Sequence, residues 1–139
     1  MVEIPYSKYL DCGADMFHEI ITSSWLTAQN SGASSAAAGG RRPGLVIRLQ
    51  GFDRGVFGGN FHTHNSLPLP PGLDVVVHSN GSDWVRGWRH ALAAAGGGRV
   101  VMVVDSTDLL NRRHVDPDLR DGACLTPFPA AGADAALGF

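Results

Sequence analysis

The chain has 139 residues, of which 44% are apolar, and a formal net charge of −2. That length holds one modest domain with a real core. The charge gives no electrostatic case for nucleic acid or an anionic membrane surface, and no apolar run approaches the roughly 20 residues of a membrane-spanning helix.

In chain order, Val2–Ile4 reads as a short strand that Pro5 ends. From about Tyr9 to Gln29 the residues Met16, Phe17, Ile20, Ile21 and Trp25 recur at helical spacing. Met16 with Ile20 and Phe17 with Ile21 form i,i+4 pairs, expected on one core-facing stripe, with Asp11 or Gly13 near the helix start. Residues 30–44, "NSGASSAAAGGRRPG", are rich in Gly, Ser and Ala, and a flexible inserted loop is expected there.

Leu45–Leu49 is a compact β-branched run, expected to be a strand buried on both faces. A glycine-rich loop follows from Gln50 to Pro71, and Leu73–Ser79 reads as a second buried strand. Ser79 or Asn80 can cap a helix starting near Ser82, with Asp83 favoured in its first turn. That helix runs to about Ala95, where Gly96–Gly98 end it. Arg99–Asp105 is a third buried run. Apolar strands alternating with helices predict an α/β fold with a mostly parallel sheet flanked by helices. Residues 111–139 show no periodicity and read as an extended or disordered tail.

The candidate chemistry begins at His62 and His64, two apart in a glycine-flanked loop. A His-x-His pair can hold zinc, but a site needs further ligands, and His18, His78, Asp74 and the cysteines lack motif spacing. The histidines can also be loop residues without a role, or face a substrate or cofactor. "GFDRGVFGG" matches neither phosphate-loop pattern. Asp105 and Asp108 stand at a strand end, where α/β folds often place functional groups, although helix capping or solvation is the expected role of each. Arg41-Arg42 and Arg112-Arg113 read as solvated pairs. Cys12 and Cys124 form no Cys-x-x-Cys motif and are expected as free thiols in a reduced compartment. The amino-terminal stretch lacks the basic start and apolar run of a signal peptide.

Taken in order, several segments resemble the beta subunit of the thiamine-diphosphate-dependent decarboxylating component of 2-oxo acid dehydrogenase complexes, in its transketolase-like pyrimidine-binding domain. "VEIPYSKYLDCGADMF" is similar to the family's strand-and-helix segment, with Glu3, Tyr6, Tyr9 and Asp15 on its marked positions. "LVIRLQG" resembles its strand that ends in Arg before a glycine loop. "HTHN", starting at His62, resembles H-S-Q-[SN]. "PGLDVVVHS" and "GWRHALAAAGGGRVVMVVDS" resemble the strand, helix and strand that follow. The likeness runs from Val2 to about Asp108.

The resemblance implies a partial pyrimidine-binding domain over residues 1–110, part of an enzyme that oxidatively decarboxylates pyruvate or branched-chain 2-oxo acids. It implies His62 as the active-site histidine, working near its own pKa on the bound 2-oxo acid. It implies Tyr9, with Tyr6, as cofactor-binding aromatics beside the pyrimidine of thiamine diphosphate. Magnesium and the diphosphate would be held by the alpha subunit, which explains the missing phosphate loop. A potassium ion would be held by backbone carbonyls of Leu45 and Val46, though Ala91–Gly98 lacks the Asp and Asn that supply its other ligands in the family. The implied partners are the alpha subunit and the lipoyl transacylase core, in a hetero-oligomer without nucleic acid or membrane. The implied location is the cytoplasm or, in a eukaryote, the mitochondrial matrix or a plastid.

His64 stands where the family has glutamine. The family's cofactor-activating glutamate lies upstream of the segment matching "VEI", and Glu3 cannot replace it. The expectation is therefore a fragment inactive by itself, or a catalytically inactive remnant serving as an interaction module.

Overall fold

Four strands pair side by side, all parallel, in the order β1-β2-β4-β3. They are β1 (Val2–Ile4), β2 (Leu45–Gln50), β3 (Leu73–Val77) and β4 (Val100–Asp105). This architecture comes from a computed structural model, which describes residues 1–30, 44–51, 68–106 and 130, without the side chains of 25–30. A 3-10 turn, Ser7–Gly13, leads into α1 (Ala14–Asn30), and α2 (Gly81–Gly96) joins β3 to β4. The expected α/β class with a parallel sheet is what the chain adopts. The expectations for 31–43, 52–67 and the tail lie outside the described residues.

The path explains the layers. From β1 through α1 to β2 the chain steps one strand along the sheet. From β3 through α2 to β4 it steps one strand back. Right-handed crossovers running in opposite directions require helices on opposite faces. Two core clusters show this. Leu10, Phe17 and Ile21 pack with Ile47, Leu49, Val100, Met102 and Val104 on one face. Ala91 packs with Val46, Val101 and Val103 on the other, flanked by Trp88 and Val76. Alternate residues of β2 and β4 thus serve alternate faces, and β4 is buried along its whole length. Each such aliphatic side chain contributes about 1.5–3 kcal/mol by leaving water.

Two expectations are corrected. Phe17 and Ile21 are buried at 4% and 0% exposure, but Met16 and Ile20 stand out at 59% and 37%. The two i,i+4 pairs are a residue apart, about 100° around the helix, and α1 lies on one sheet face, so one pair reaches the core. The second strand is not buried on both faces: Val75 and Val77 are exposed, because β3 is the sheet edge.

The helix ends follow local chemistry. Of the two cap candidates, Asn80 takes the role: its Oδ1 accepts from the Asp83 backbone N–H at 2.9 Å. At the other end the Gly97 N–H donates to the Ala93 and Ala94 carbonyls, and Gly98 turns the chain with φ of 91°. The Ser24 hydroxyl donates to the Gly98 carbonyl at 3.1 Å, tying α1 to that turn. Among the described residues no helix is long and apolar enough to cross a membrane.

Candidate functional site

Three charged residues interrupt the apolar strands on the α2 side of the sheet. Glu3 of β1 is in register with Arg48 of β2, and Asp105 ends β4 opposite Gln50. Side chains two apart along a strand share a face, so Arg48 reaches both carboxylates. Its Nε donates to Asp105 Oδ2 at 2.6 Å and its Nη1 to Glu3 Oε1 at 2.8 Å. The indole Nε1 of Trp84, in the first turn of α2, donates to Asp105 Oδ1 at 3.0 Å.

Asp105 is the centre of this network. Its side chain is 1% exposed, and an isolated carboxylate there would be very costly. A guanidinium on one oxygen and an indole N–H on the other offset that cost. Arg48 gains in turn: burial disfavours its charge, but the Glu3 and Asp105 carboxylates outweigh burial and raise its pKa above the ordinary arginine value. The result is a fixed cation at the carboxyl end of the sheet. The expectation of capping or solvation for Asp105 is thereby corrected. Asp105 is instead held under Trp84 and against Arg48, which take both of its oxygens out of water.

His78 follows β3 at the same end and is 7% exposed. It fits because α2 carries Gly87 beside it: a Cβ at Gly87 would lie 2.0 Å from His78 Cε1. Its buried Nε2 has no hydrogen-bond partner among the described residues. Burial lowers its pKa below the ordinary histidine value, against the opposing pull of the Asp105 and Asp83 charges and a backbone hydrogen bond with Asp83. At neutral pH the ring is an uncharged imidazole.

Two clefts adjoin across the Glu3–Arg48 pair. The larger, about 660 Å³, is walled by Trp84, Trp88, Leu92 and Met1. The smaller, about 340 Å³, opens among Ile4, Pro5 and Gln50 at the carboxyl ends of β1 and β2. Small-molecule sites are commonly of this size, apolar with a few fixed polar groups.

The residues singled out in the sequence fall in different places. Tyr6 and Tyr9 follow β1 at the carboxyl edge, their rings edge to face at 5.7 Å and 89°, with Tyr9 45% exposed. β2 ends at that same edge, but His62 and His64, which follow it in the sequence, lie outside the described residues, as do Asp108 and Cys124. Leu45 and Val46 open β2 at the opposite edge, in register with Val100 and Val101. His18, on α1, and His78 are on opposite sides of the sheet. Asp74 is committed to Arg99, 2.5 Å away. Among the described residues no three His, Cys, Asp or Glu side chains converge on a metal-sized site, and Cys12 is an exposed free thiol.

Sequence reading passed over Arg48, Trp84 and the bridging role of Asp105. The available signal was a charge inside each of two otherwise apolar runs, "LVIRLQ" and "VVMVVD". Comparison of the chain with protein-family models, with curated proteins and with solved structures finds no match.

Proposed function

We propose that the chain forms the pyrimidine-binding part of a thiamine-diphosphate-dependent 2-oxo acid dehydrogenase, as a beta-type subunit that works with an alpha subunit. One observation supports the reading above the others. Tyr6 and Tyr9 follow the carboxyl end of β1, and the sequence continues toward His62 from the carboxyl end of its parallel neighbour β2. Ligands of open α/β sheets bind at that edge.

The residues present suit the cofactor's pyrimidine half. An edge-to-face tyrosine pair with one ring open to solvent offers an aromatic wall for a flat heterocycle. When bound, thiamine diphosphate supplies the carbanion chemistry that lets carbon dioxide leave a 2-oxo acid. In this reading Tyr9 and Tyr6 orient the ring, and the His62 imidazole exchanges a proton with the bound acid near neutral pH. The alpha subunit supplies the magnesium and diphosphate sites, and the lipoyl transacylase core receives the product. Potassium at the Leu45 and Val46 carbonyls belongs to the same reading. It would sit at the far edge of the sheet, where it could bear on the stability of β2.

Calorimetric titration of thiamine diphosphate and magnesium tests this, with the chain alone and with a matching alpha subunit. Binding only in the mixture supports a site built at the interface. No binding in either sample removes the cofactor and leaves the inactive interaction module.

A further inference from the structure

We infer that the 660 Å³ cleft over β1 and β2 is a binding site for a free α-amino acid with an apolar side chain, held as its zwitterion. The inference does not rest on the proposed enzymatic role.

The first argument is charge of both signs. The charged residues of the lining are Glu3 and Arg48, with Met1 bringing the chain's amino group to the same cleft. Asp105, 1% exposed, is not among them and serves to fix Arg48. Glu3 and Arg48 meet at 2.8 Å, and each keeps capacity that the pair does not use. Glu3 is 57% exposed, and its Oε2 accepts from no group among the described residues. Arg48 spends its Nε on Asp105 and one Nη1 hydrogen on Glu3, which leaves its Nη2 hydrogens without an acceptor among the described residues. A ligand with a single charge gains at one of these neighbours and is repelled by the other: an ammonium meets Arg48 and the Met1 amino group, a carboxylate meets Glu3. An α-amino acid carries both groups on one carbon, and at neutral pH both are charged. Its ammonium can donate to Glu3 Oε2 while its carboxylate accepts from Arg48 Nη2, two charge-assisted bonds to side chains already held next to each other.

The second argument is the wall. Trp84 and Trp88 are four residues apart on α2, so they stand one turn above the other on one side of the helix. Their rings lie 5.8 Å apart, tilted by 53°, which makes an aromatic corner. The Trp84 ring is fixed by its bond to Asp105 and remains 38% exposed. Leu92, 57% exposed, continues the same stripe one turn on. An apolar side chain laid on this stripe leaves water, and an aromatic one also gains from ring packing. The paired charges therefore take the ligand's backbone groups, and the stripe takes its side chain.

The test titrates the full chain with L-phenylalanine at neutral pH, read by tryptophan fluorescence and by the indole N–H signals in NMR. Phenethylamine and 3-phenylpropionate, which keep the ring and one charge each, are the single-charge controls, and glycine keeps both charges without the ring. The expected result is saturable binding of phenylalanine with movement of the Trp84 and Trp88 signals, and binding of each control about tenfold weaker or less. Glu3→Gln, at an exposed position, should weaken phenylalanine about tenfold and leave 3-phenylpropionate no weaker, because only the ligand ammonium loses its partner. A control that binds as tightly as phenylalanine overturns the inference. So does a preference for phenylalanine over 3-phenylpropionate that survives Glu3→Gln, or the absence of saturable phenylalanine binding.

Discussion

The Cε1 atom of His78 stands in the space that a side chain at position 87 would need. A Cβ on Gly87 would come within 2.0 Å of it and within 2.8 Å of Nδ1. Glycine in a helix interior ordinarily costs about 1 kcal/mol against alanine, so Gly87→Ala taken alone should stabilise α2. Here the imidazole would have to move, and its neighbours are buried. Overpacking of this kind costs about 1–3 kcal/mol. Gly87→Ala should therefore lower the urea midpoint. The double variant Gly87→Ala with His78→Ala should recover part of the loss, because the obstructing ring is gone. Additive single effects in that cycle would show that the two residues do not compete for space.

His78 also sets a pH dependence. Its folded pKa is lowered, by burial first, with Asp105 and Asp83 pulling the other way. The unfolded chain takes up this proton near pH 6.5, the folded chain only at a lower pH. Between those two values the unfolded state holds more protons, so stability falls as pH drops through 6.5 and this loss levels off below the folded pKa. Above 6.5 the group contributes nothing. The slope from one such histidine is at most about 1.4 kcal/mol per pH unit. Urea melts of the wild type and His78→Gln between about pH 7.5 and 5.5 should diverge, the wild type losing more on acidification. Parallel curves would mean the ring is free to take up its proton in the folded state.

The two carboxylates on Arg48 should behave differently. Asp105 is 1% exposed and carries two hydrogen bonds, whereas Glu3 is 57% exposed and carries one. Removing one partner of a buried pair costs about 3–5 kcal/mol, because the other charge is left unpaired. Arg48 keeps 26% exposure and keeps Glu3, so Asp105→Ala should cost less, about 2–3 kcal/mol, and should free the Trp84 indole. Glu3→Gln should cost under about 1 kcal/mol, as exposed pairs do. Thermal melts and the Trp84 indole N–H shift check both. Equal costs for the two variants would show that Asp105 is not the anchor.

Asn80 is a simpler case. Its Oδ1 accepts from the Asp83 N–H, and its side-chain amide donates to Asp83 Oδ2 at 2.7 Å. The same amide donates to the Ser79 hydroxyl at 3.3 Å, so Asn80→Ala removes three bonds and should cost about 1 kcal/mol, whereas Ser79→Ala, which loses that bond and one to Asp83, both exposed, should cost a few tenths. Chemical denaturation of the two variants separates the candidates that local sequence left equal.

These cases mark what a sequence can carry. "LVIRL", "RVVMVVD" and the glycines after Ala95 announce their elements because burial and turn geometry act over a few neighbouring residues. The order β1-β2-β4-β3 is not local, so it was not legible that β3 is an edge or that β4 lies between β2 and β3. That order brings Asp105 to Arg48 across 57 residues of chain. The same gap misplaced Met16 and Ile20: periodicity shows that a helix has apolar residues, but the sheet decides which of them it covers. Tyr6 and Tyr9 were picked out by resemblance. Their position at a sheet edge came from β1 ending at Ile4, which Pro5 had signalled.

The enzymatic reading makes its own demand on Tyr9 and His62. Tyr9 is 45% exposed, so Tyr9→Ala should leave the melting temperature within about a degree or two of wild type. In the complex with the alpha subunit it should nonetheless weaken thiamine diphosphate about tenfold, if its ring forms the wall against the pyrimidine. His62→Ala should leave that affinity nearly unchanged and reduce turnover by a factor of about 100 or more, the usual contribution of a positioned proton donor. Steady-state kinetics with pyruvate and branched-chain 2-oxo acids, alongside calorimetry, separates the two roles. Loss of affinity in both variants would reduce His62 to a binding residue. Unchanged turnover in His62→Ala would remove it from the mechanism, whatever the chain's resemblance to decarboxylating dehydrogenases.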